Sequence, residues 1–223
     1  NPFGKRIKYV FEQCTRLSST VKNTLINDEF PLVLSGDHSS ALGTISGIKA
    51  AYPSKRLGVV WIDAHADIHS PYTSPSGNVH GMPLAAALAE DNLESKVNDI
   101  TDEARNSWEG MKNIGCDGAK VLADDVVYFG VRDTEEPEDK QIEKLGIKNY
   151  MVDEVRYRGL DTCVNEALDT LSNCDLIYIS FDVDSMDCDL ISYGTGTPVP
   201  KGFDQFEIIE IINKIIASNK VAS

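Results

Sequence analysis

The stretch LGVVWIDAHADIHS, from Leu57 to Ser70, constrains the fold of this chain more than any other. Its first half is apolar, β-branched and aromatic, which is typical of a strand buried on both faces of a parallel sheet. Its second half places Asp63, His65 and Asp67 two residues apart. If the extended backbone continues, period-two alternation points these three side chains to one side at the end of the strand. Burying unpaired charge is costly, so the pattern predicts a metal site.

Strand-like and helix-like segments alternate along the chain. Predicted strands begin at Pro31, Leu57, Asp125, Ile147 and Asp175. Predicted helices cover residues 5–27, 82–90, 160–171 and 206–216. Two further helices are predicted, one that begins near Ala41 and one around Trp108. This alternation predicts an α/β fold of three layers (αβα) with a mostly parallel central sheet. We expect a single domain over residues 1–223, incomplete at both ends, because the chain lacks an initiating Met and ends in strand-like residues.

Composition argues against several classes of partner. The formal net charge of −14 disfavours nucleic acid and anionic membrane surfaces, and no apolar run is long enough to span a bilayer. The five cysteines are scattered and contain no CxxC motif. We therefore expect a cytoplasmic protein with reduced thiols.

Polar clusters follow the predicted strands, where ligands of parallel sheets bind. His38 follows the first strand, the DAHAD group the second, Arg132 and Asp133 the next, and Asp182 with Asp184 the last. The four histidines of the chain all lie within one 43-residue stretch, at positions 38, 65, 69 and 80. Histidines that were only surface or core residues would have no reason to gather there.

The aspartates of these clusters predict two divalent cations. Asp63, Asp67, Asp182 and Asp184 carry four negative charges, and each pair repels by roughly 4 kcal/mol at about 4 Å with an effective dielectric near 20. Two divalent cations cancel this charge, and His38 with His65 completes two coordination shells. Oxygen and imidazole ligands without thiolate favour Mn²⁺ over structural zinc. A single aspartate could instead cap a helix or form a turn, but that interpretation does not explain the whole set.

Three motifs resemble the signature regions of the arginase (ureohydrolase) family. They are GDHS, DAHAD followed by IHSPYTSPSGNVHG, and SFDVDSMD followed by GTGTPVP, and the SPSGNVHG loop is similar to that of arginases proper. The resemblance implies hydrolysis of L-arginine to L-ornithine and urea by a hydroxide bound to two Mn²⁺ ions, in a homo-trimer or hexamer.

The resemblance also implies a ligand set in which two aspartates bridge the metals. One Mn²⁺ would be held by His38, Asp63, Asp67 and Asp182, and the other by His65, Asp63, Asp182 and Asp184. Asp67 would in addition accept a hydrogen bond from the hydroxide, as a catalytic residue.

Further site residues are carried over by motif position. His80 matches a proton shuttle or general acid for the leaving amine, for which a histidine titrates in the right range; the alternative is a packing histidine. Ser74 and Ser76 match positions that recognise the α-carboxylate, although Ser and Pro also favour simple turns. Thr197 matches a substrate-facing threonine.

Two positions depart from the family pattern. His69 stands where arginases commonly have Asn; it could donate a hydrogen bond to a substrate carboxylate, or be a solvated histidine near the site mouth. Glu135 stands where the family usually has an Asp that binds the α-amino group, and the longer side chain either does the same or shifts specificity. The rest of the acidic run to Asp139 is expected to be a solvated loop and helix start.

These departures leave two alternatives to arginase open. One is a sister ureohydrolase, such as an agmatinase, guanidinobutyrase or formimidoylglutamase. The other is a metal-binding, non-catalytic relative, against which the complete ligand set and His80 argue.

Overall fold

One parallel sheet forms the centre of the molecule in the computed structural model, which describes residues 2–223. The predicted domain start, Asn1, lies outside the described residues. The strands are β1 (Leu57–Ile62), β2 (Val126–Phe129), β3 (Lys148–Tyr150) and β4 (Leu176–Phe181), in the order β3-β2-β1-β4. β1 is therefore an inner strand, in which Trp61 pairs with Tyr128 on one side and with Ser180 on the other.

Helices connect the strands, as the alternating pattern predicts. They are α1 (Ile7–Ile26), α2 (Ser40–Ala51), α3 (Pro83–Leu88), α4 (Asp102–Lys112), α5 (Glu136–Leu145), α6 (Val152–Arg158), α7 (Leu160–Thr170) and α8 (Gln205–Ile216). In the described part of the chain, no helix is both long enough and apolar enough to cross a bilayer.

Each face of the sheet has its own hydrophobic core. Val59 and Trp61 of β1 pack into a cluster with α1 to α4, whereas Val60 and Ile62 pack into a second cluster with α6 to α8. Since neighbouring residues of a strand point to opposite faces, the continuous apolar run of β1 fills both cores. Full burial of each such side chain contributes about 1.5–3 kcal/mol. The predicted three-layer α/β fold is confirmed.

The two N-terminal helices pack closely because α2 carries glycines at the contact. A Cβ atom placed on Gly47 would lie 2.6 Å from the Cβ of Val21 and 2.7 Å from the carbonyl oxygen of Ser18, both in α1. These distances are shorter than van der Waals contact, so only glycine allows the observed approach. The packing fixes α2, and with it the loop before α2 that carries His38.

Two predicted strands differ from the structure. No regular strand forms at Pro31, since the adjacent segment has no ladder partner among the described residues and the side chains of Leu32 and Leu34 are 78% and 90% exposed. The strand predicted from Ile147 is short, because α6 already begins at Val152. In both places apolar residues are present, but tertiary contacts decide the backbone conformation.

The chain order of the strands reverses direction next to β1. From β1 the chain passes to β2 and β3, and it then returns across the sheet to place β4 on the other side of β1. The connections on the two sides diverge there, which leaves a crevice at the carboxyl ends of β1 and β4. The polar clusters predicted from the sequence lie at this crevice.

Candidate metal centre

The loop after β1 brings its acidic side chains together by a turn and not by extended backbone. β1 ends at Ile62, and Asp67 adopts a left-handed conformation with φ 49°. The predicted alternation through Asp67 is therefore wrong in its geometry. Asp tolerates this conformation better than most residues. The side chains of Asp63 and Asp67 nevertheless converge, since one carboxylate oxygen of each lies 2.9 Å from Nδ1 of His38.

His38 presents one ring nitrogen to three carboxylates. Its Nδ1 lies 2.9 Å from oxygens of Asp63 and Asp67 and 3.3 Å from Oδ2 of Asp182. This buried nitrogen has hydrogen-bond geometry to none of its neighbours. Three carboxylate oxygens surround it at 2.9–3.3 Å, which suits a nitrogen that shares a cation with them. The ring stacks on Trp61 with centroids 4.3 Å apart, which fixes its orientation.

His65 occupies a second, adjoining group. Its Nδ1 lies 3.1 Å from Oδ2 of Asp184 and 3.5 Å from Oδ1 of Asp63. Asp63 therefore turns one oxygen to His38 and the other to His65, and it belongs to both groups. Asp184 is oriented by the backbone N–H of Ala64, which donates to its Oδ1 at 3.2 Å. The geometry fits two adjoining cations with the Asp63 carboxylate between them.

The pKa values of these aspartates and histidines are shifted because several carboxylates lie close together in the buried cluster. Burial, with the neighbouring Asp63 carboxylate, raises the pKa of Asp67 to about 7. Burial alone would lower the pKa of His65, but the carboxylates of Asp184 and Asp63 raise it to about 11. Burial likewise opposes the charged form of His38, yet Asp63 and Asp67 raise its pKa well above the usual value. The cluster attracts positive charge, and the donor set fits Mn²⁺.

The two groups lie at the bottom of a pocket of about 260 Å³. Every residue predicted to contact substrate lines this pocket: His69, Ser74, Ser76, His80, Glu135 and Thr197. The hydroxyl oxygen of Ser74 accepts the N–H of Gly77 at 2.9 Å, and that of Ser76 accepts the N–H of Asn78 at 3.1 Å. The two hydroxyl oxygens also lie 3.5 Å apart, so one of these groups can donate to the other. Thr197 donates to Oδ2 of Asp184 at 3.2 Å, so it orients a predicted ligand.

A third cluster lies at the rim of the pocket and includes a residue that sequence reasoning missed. Glu138 is 4% exposed, so the expectation of a solvated acidic run is wrong at this position. Its carboxylate accepts the backbone N–H of Glu135 at 3.2 Å and lies 3.5 Å from Nε2 of His69. Burial raises its pKa, and Glu135 adds to the rise. Glu135 and Glu138 form a capping box at the start of α5, but Glu is not one of the N-cap residues that signal such a box in a sequence.

Arg132 ties the second aspartate motif to the loop that follows it. Its guanidinium donates to the carbonyl oxygens of Asp184 at 3.0 Å, Ser185 at 3.2 Å, Val199 at 2.8 Å and Pro200 at 2.9 Å. Sequence reasoning places this arginine at the crevice but does not find its partners, because backbone carbonyls leave no residue-type signal.

Comparison with known proteins agrees with this geometry. The Arginase family model matches residues 4–223. Arginase of Bacillus subtilis (strain 168) is 37% identical over 203 residues, which cover 91% of this chain and 62% of that protein. Arginase-1 of Homo sapiens is 37% identical over 213 residues, which cover 95% of this chain and 61% of that protein.

Solved structures give the same result. The native structure of arginase from Bacillus caldovelox aligns with a TM-score of 0.87 and 34% identity, over 100% of this chain and 69% of that one. The chain thus spans about three fifths of the length of the curated relatives named above. Because the family match covers nearly all of the chain and the fold agrees with that of a solved arginase, this protein belongs to the arginase family.

Proposed function

We propose that this protein is a metal-dependent ureohydrolase that converts L-arginine to L-ornithine and urea with two Mn²⁺ ions per chain. The observation that supports this most directly is the position of Asp63. Its two carboxylate oxygens face two different histidines, at 2.9 Å from Nδ1 of His38 and 3.5 Å from Nδ1 of His65. A carboxylate placed between two imidazoles at the bottom of a pocket suits a pair of cations.

The ligands are assigned to two overlapping sets. The first cation would be held by His38, Asp63, Asp67 and Asp182, and the second by His65, Asp63, Asp182 and Asp184. When bound, the cations would offset the carboxylate charges and would lower the pKa of a bound water molecule.

Three residues around the cations would have separate roles in hydrolysis. Asp67 would accept a hydrogen bond from the attacking water and so orient it toward the guanidinium carbon. His80, at the pocket wall, would deliver a proton to the leaving amine. Thr197, which donates to Asp184, would hold that ligand in place and face the substrate.

Opposite charges on the amino-acid end of arginine match opposite parts of the pocket rim. The Ser74 and Ser76 hydroxyl groups, whose oxygens accept backbone N–H groups, would donate to the α-carboxylate. The exposed carboxylate of Glu135 would pair with the α-ammonium group. The names of the relatives support arginine as the substrate. We also propose that the protein forms a homo-trimer or hexamer. We propose a cytoplasmic location because the five cysteines are unpaired.

Urea release from competing substrates tests this proposal. After Mn²⁺ loading we expect the highest kcat/KM with L-arginine, and lower values with agmatine and with guanidinobutyrate. Asp184→Asn should lose activity and one metal, whereas Asp189→Asn, the same charge change at an exposed position nearby, should lose neither. Preference for agmatine or guanidinobutyrate would assign a sister ureohydrolase. Metal binding without urea release from any substrate would assign a non-catalytic relative.

A further inference from the structure

The side chains of His69 and Glu135 are in direct contact at the rim of the pocket. Nε2 of His69 lies 2.7 Å from Oε2 of Glu135. The other ring nitrogen, Nδ1, lies 3.0 Å from Oγ1 of Thr73. The His69 side chain is therefore occupied at both nitrogens, and it is only 5% exposed. A ring held in this way does not itself reach for a substrate carboxylate; its hydrogen bonds point within the protein.

The direction of the hydrogen bond between them follows from the chemistry of the acceptor. An ionised carboxylate can only accept, so Nε2 of His69 carries the hydrogen and donates it to Glu135. Thr73 is held in turn by the backbone N–H of Ser70, which donates to Oγ1 at 3.1 Å. The ring is thus fixed by the loop that carries it, and it presents one N–H to the rim of the pocket.

Glu135 is fixed at both ends of its side chain. Its backbone is the N-cap of α5, where its N–H donates to the buried carboxylate of Glu138 at 3.2 Å. Its own carboxylate, in a side chain that is 55% exposed, is held by His69. An exposed glutamate without such a partner samples several rotamers, and a ligand must then supply the free energy of ordering it. Here the carboxylate is ordered before a ligand arrives.

We propose that His69 is a positioning residue that sets substrate preference by holding the Glu135 carboxylate where it pairs with the α-ammonium group of an amino-acid substrate. This inference rests on the proposed function and adds to it the residue through which Glu135 acts. His69 and Glu135 form one unit, because the ring of His69 reaches the Glu135 carboxylate and holds it in place. Substrates without an α-ammonium group gain nothing from this unit.

Removing only the α-ammonium group from the substrate isolates the effect. We expect His69→Asn to raise KM for L-arginine about tenfold, with kcat changed less than about twofold, because the shorter amide no longer reaches Glu135. KM for 5-guanidinopentanoate, which is arginine without its α-amino group, should not change. His69→Gln should restore the KM for arginine, since its amide nitrogen extends to the position of Nε2.

A double-mutant cycle shows whether His69 acts through Glu135. Glu135→Gln should raise KM for arginine, and adding His69→Asn should have no further effect. Glu136→Gln is the matched control, because it makes the same charge change at the neighbouring exposed residue, which pairs with Lys140. Metal content is measured on every variant, because His69 lies two residues from Asp67.

Calorimetry gives a readout that does not depend on turnover. The Kd of L-ornithine should rise in His69→Asn, whereas that of 5-aminopentanoate, which lacks the α-amino group, should stay constant. The inference is overturned if His69→Asn weakens both members of either ligand pair equally, if its effect adds to that of Glu135→Gln, or if His69→Gln fails to restore binding. A wild-type enzyme that releases no urea from arginine would contradict the proposed function, and the calorimetric comparison would still test the role of His69.

Discussion

Nε2 of His38 lies 2.7 Å from Oγ of Ser180, and this contact joins the loop before α2 to strand β4. Ser180 pairs in register with Trp61, so the side chains of these two residues point to the same face of the sheet. The His38 ring stacks on Trp61 and lies on that face as well. When Nε2–H donates to the serine, Nδ1 keeps its lone pair for a cation. The serine thereby selects the tautomer of a predicted ligand.

Removal of this hydroxyl group should weaken metal binding. We expect Ser180→Ala to lower Mn²⁺ affinity by about 10- to 100-fold, the range typical of partners that orient a metal ligand. Chelator competition measures the affinity, and the exposed Ser172→Ala is the control. Equal affinities in the two variants would show that the hydroxyl group does not orient His38.

His80 should matter for rate and not for metal content. We expect His80→Ala to reduce kcat by about 10²- to 10⁴-fold, the usual contribution of a general acid–base group. Elemental analysis should still find two Mn²⁺ ions per chain. Loss of metal in this variant would make His80 a ligand, and an unchanged rate would make it a packing residue.

Arg132 should stabilise the loop around the second aspartate motif. Arg132→Met keeps much of the stem but leaves several carbonyl oxygens without a donor, at a cost of about 1–3 kcal/mol for each one that stays buried. We expect a loss of about 2–4 kcal/mol in the free energy of unfolding, measured by urea denaturation, together with weaker Mn²⁺ binding. Arg158→Met, which removes ion pairs to Glu154 and Glu166, should cost less than about 1 kcal/mol. Equal losses in the two variants would argue against a special role for Arg132.

The contact between α1 and α2 should not tolerate a methyl group. Gly47→Ala would place Cβ 2.6 Å from that of Val21, and overpacking of this kind costs about 1–3 kcal/mol. The same substitution at Gly194, which has no heavy atom within 4 Å of the added Cβ, should be close to neutral. Thermal denaturation of both variants makes the comparison, and a stable Gly47→Ala protein would show that the two helices can separate freely.

Lys120 should make stability depend on pH in the alkaline range. Burial lowers its pKa to about 8 from the usual 10.5, and its hydrogen bonds go to the carbonyl oxygens of Lys112 and Gly118. Between these two pH values the unfolded chain binds more protons than the folded one, so stability should rise with pH.

Lys120→Met should remove this rise, while the exposed Lys8→Met should keep it. Urea denaturation on both sides of this pH window measures the effect. If the difference in stability between wild type and Lys120→Met did not change with pH, the ammonium group would be charged throughout.

The sequence predicts the parts of this molecule that residue type and order determine. The apolar run before Asp63 predicts a strand buried on both faces, and the placement of Asp182 after another strand predicts the crevice. The left-handed turn at Asp67 could not be predicted, because tertiary contacts hold it. Burial of Glu138 depends in the same way on a partner distant in sequence, the ring of His69. The spacing of residues therefore predicts which elements meet, whereas local backbone conformation and the burial of single side chains depend on tertiary packing.

The proposed ligands extend from residue 38 to residue 184, and they surround one carboxylate, that of Asp63. Both proposed sets include Asp182, so neither cation has all of its ligands until β4 has docked beside β1. Long-range contacts of this kind form late, because loop closure is costly. The kinetics of Mn²⁺ uptake during refolding should then follow the docking of β4. Metal binding would therefore report when this strand has joined the sheet.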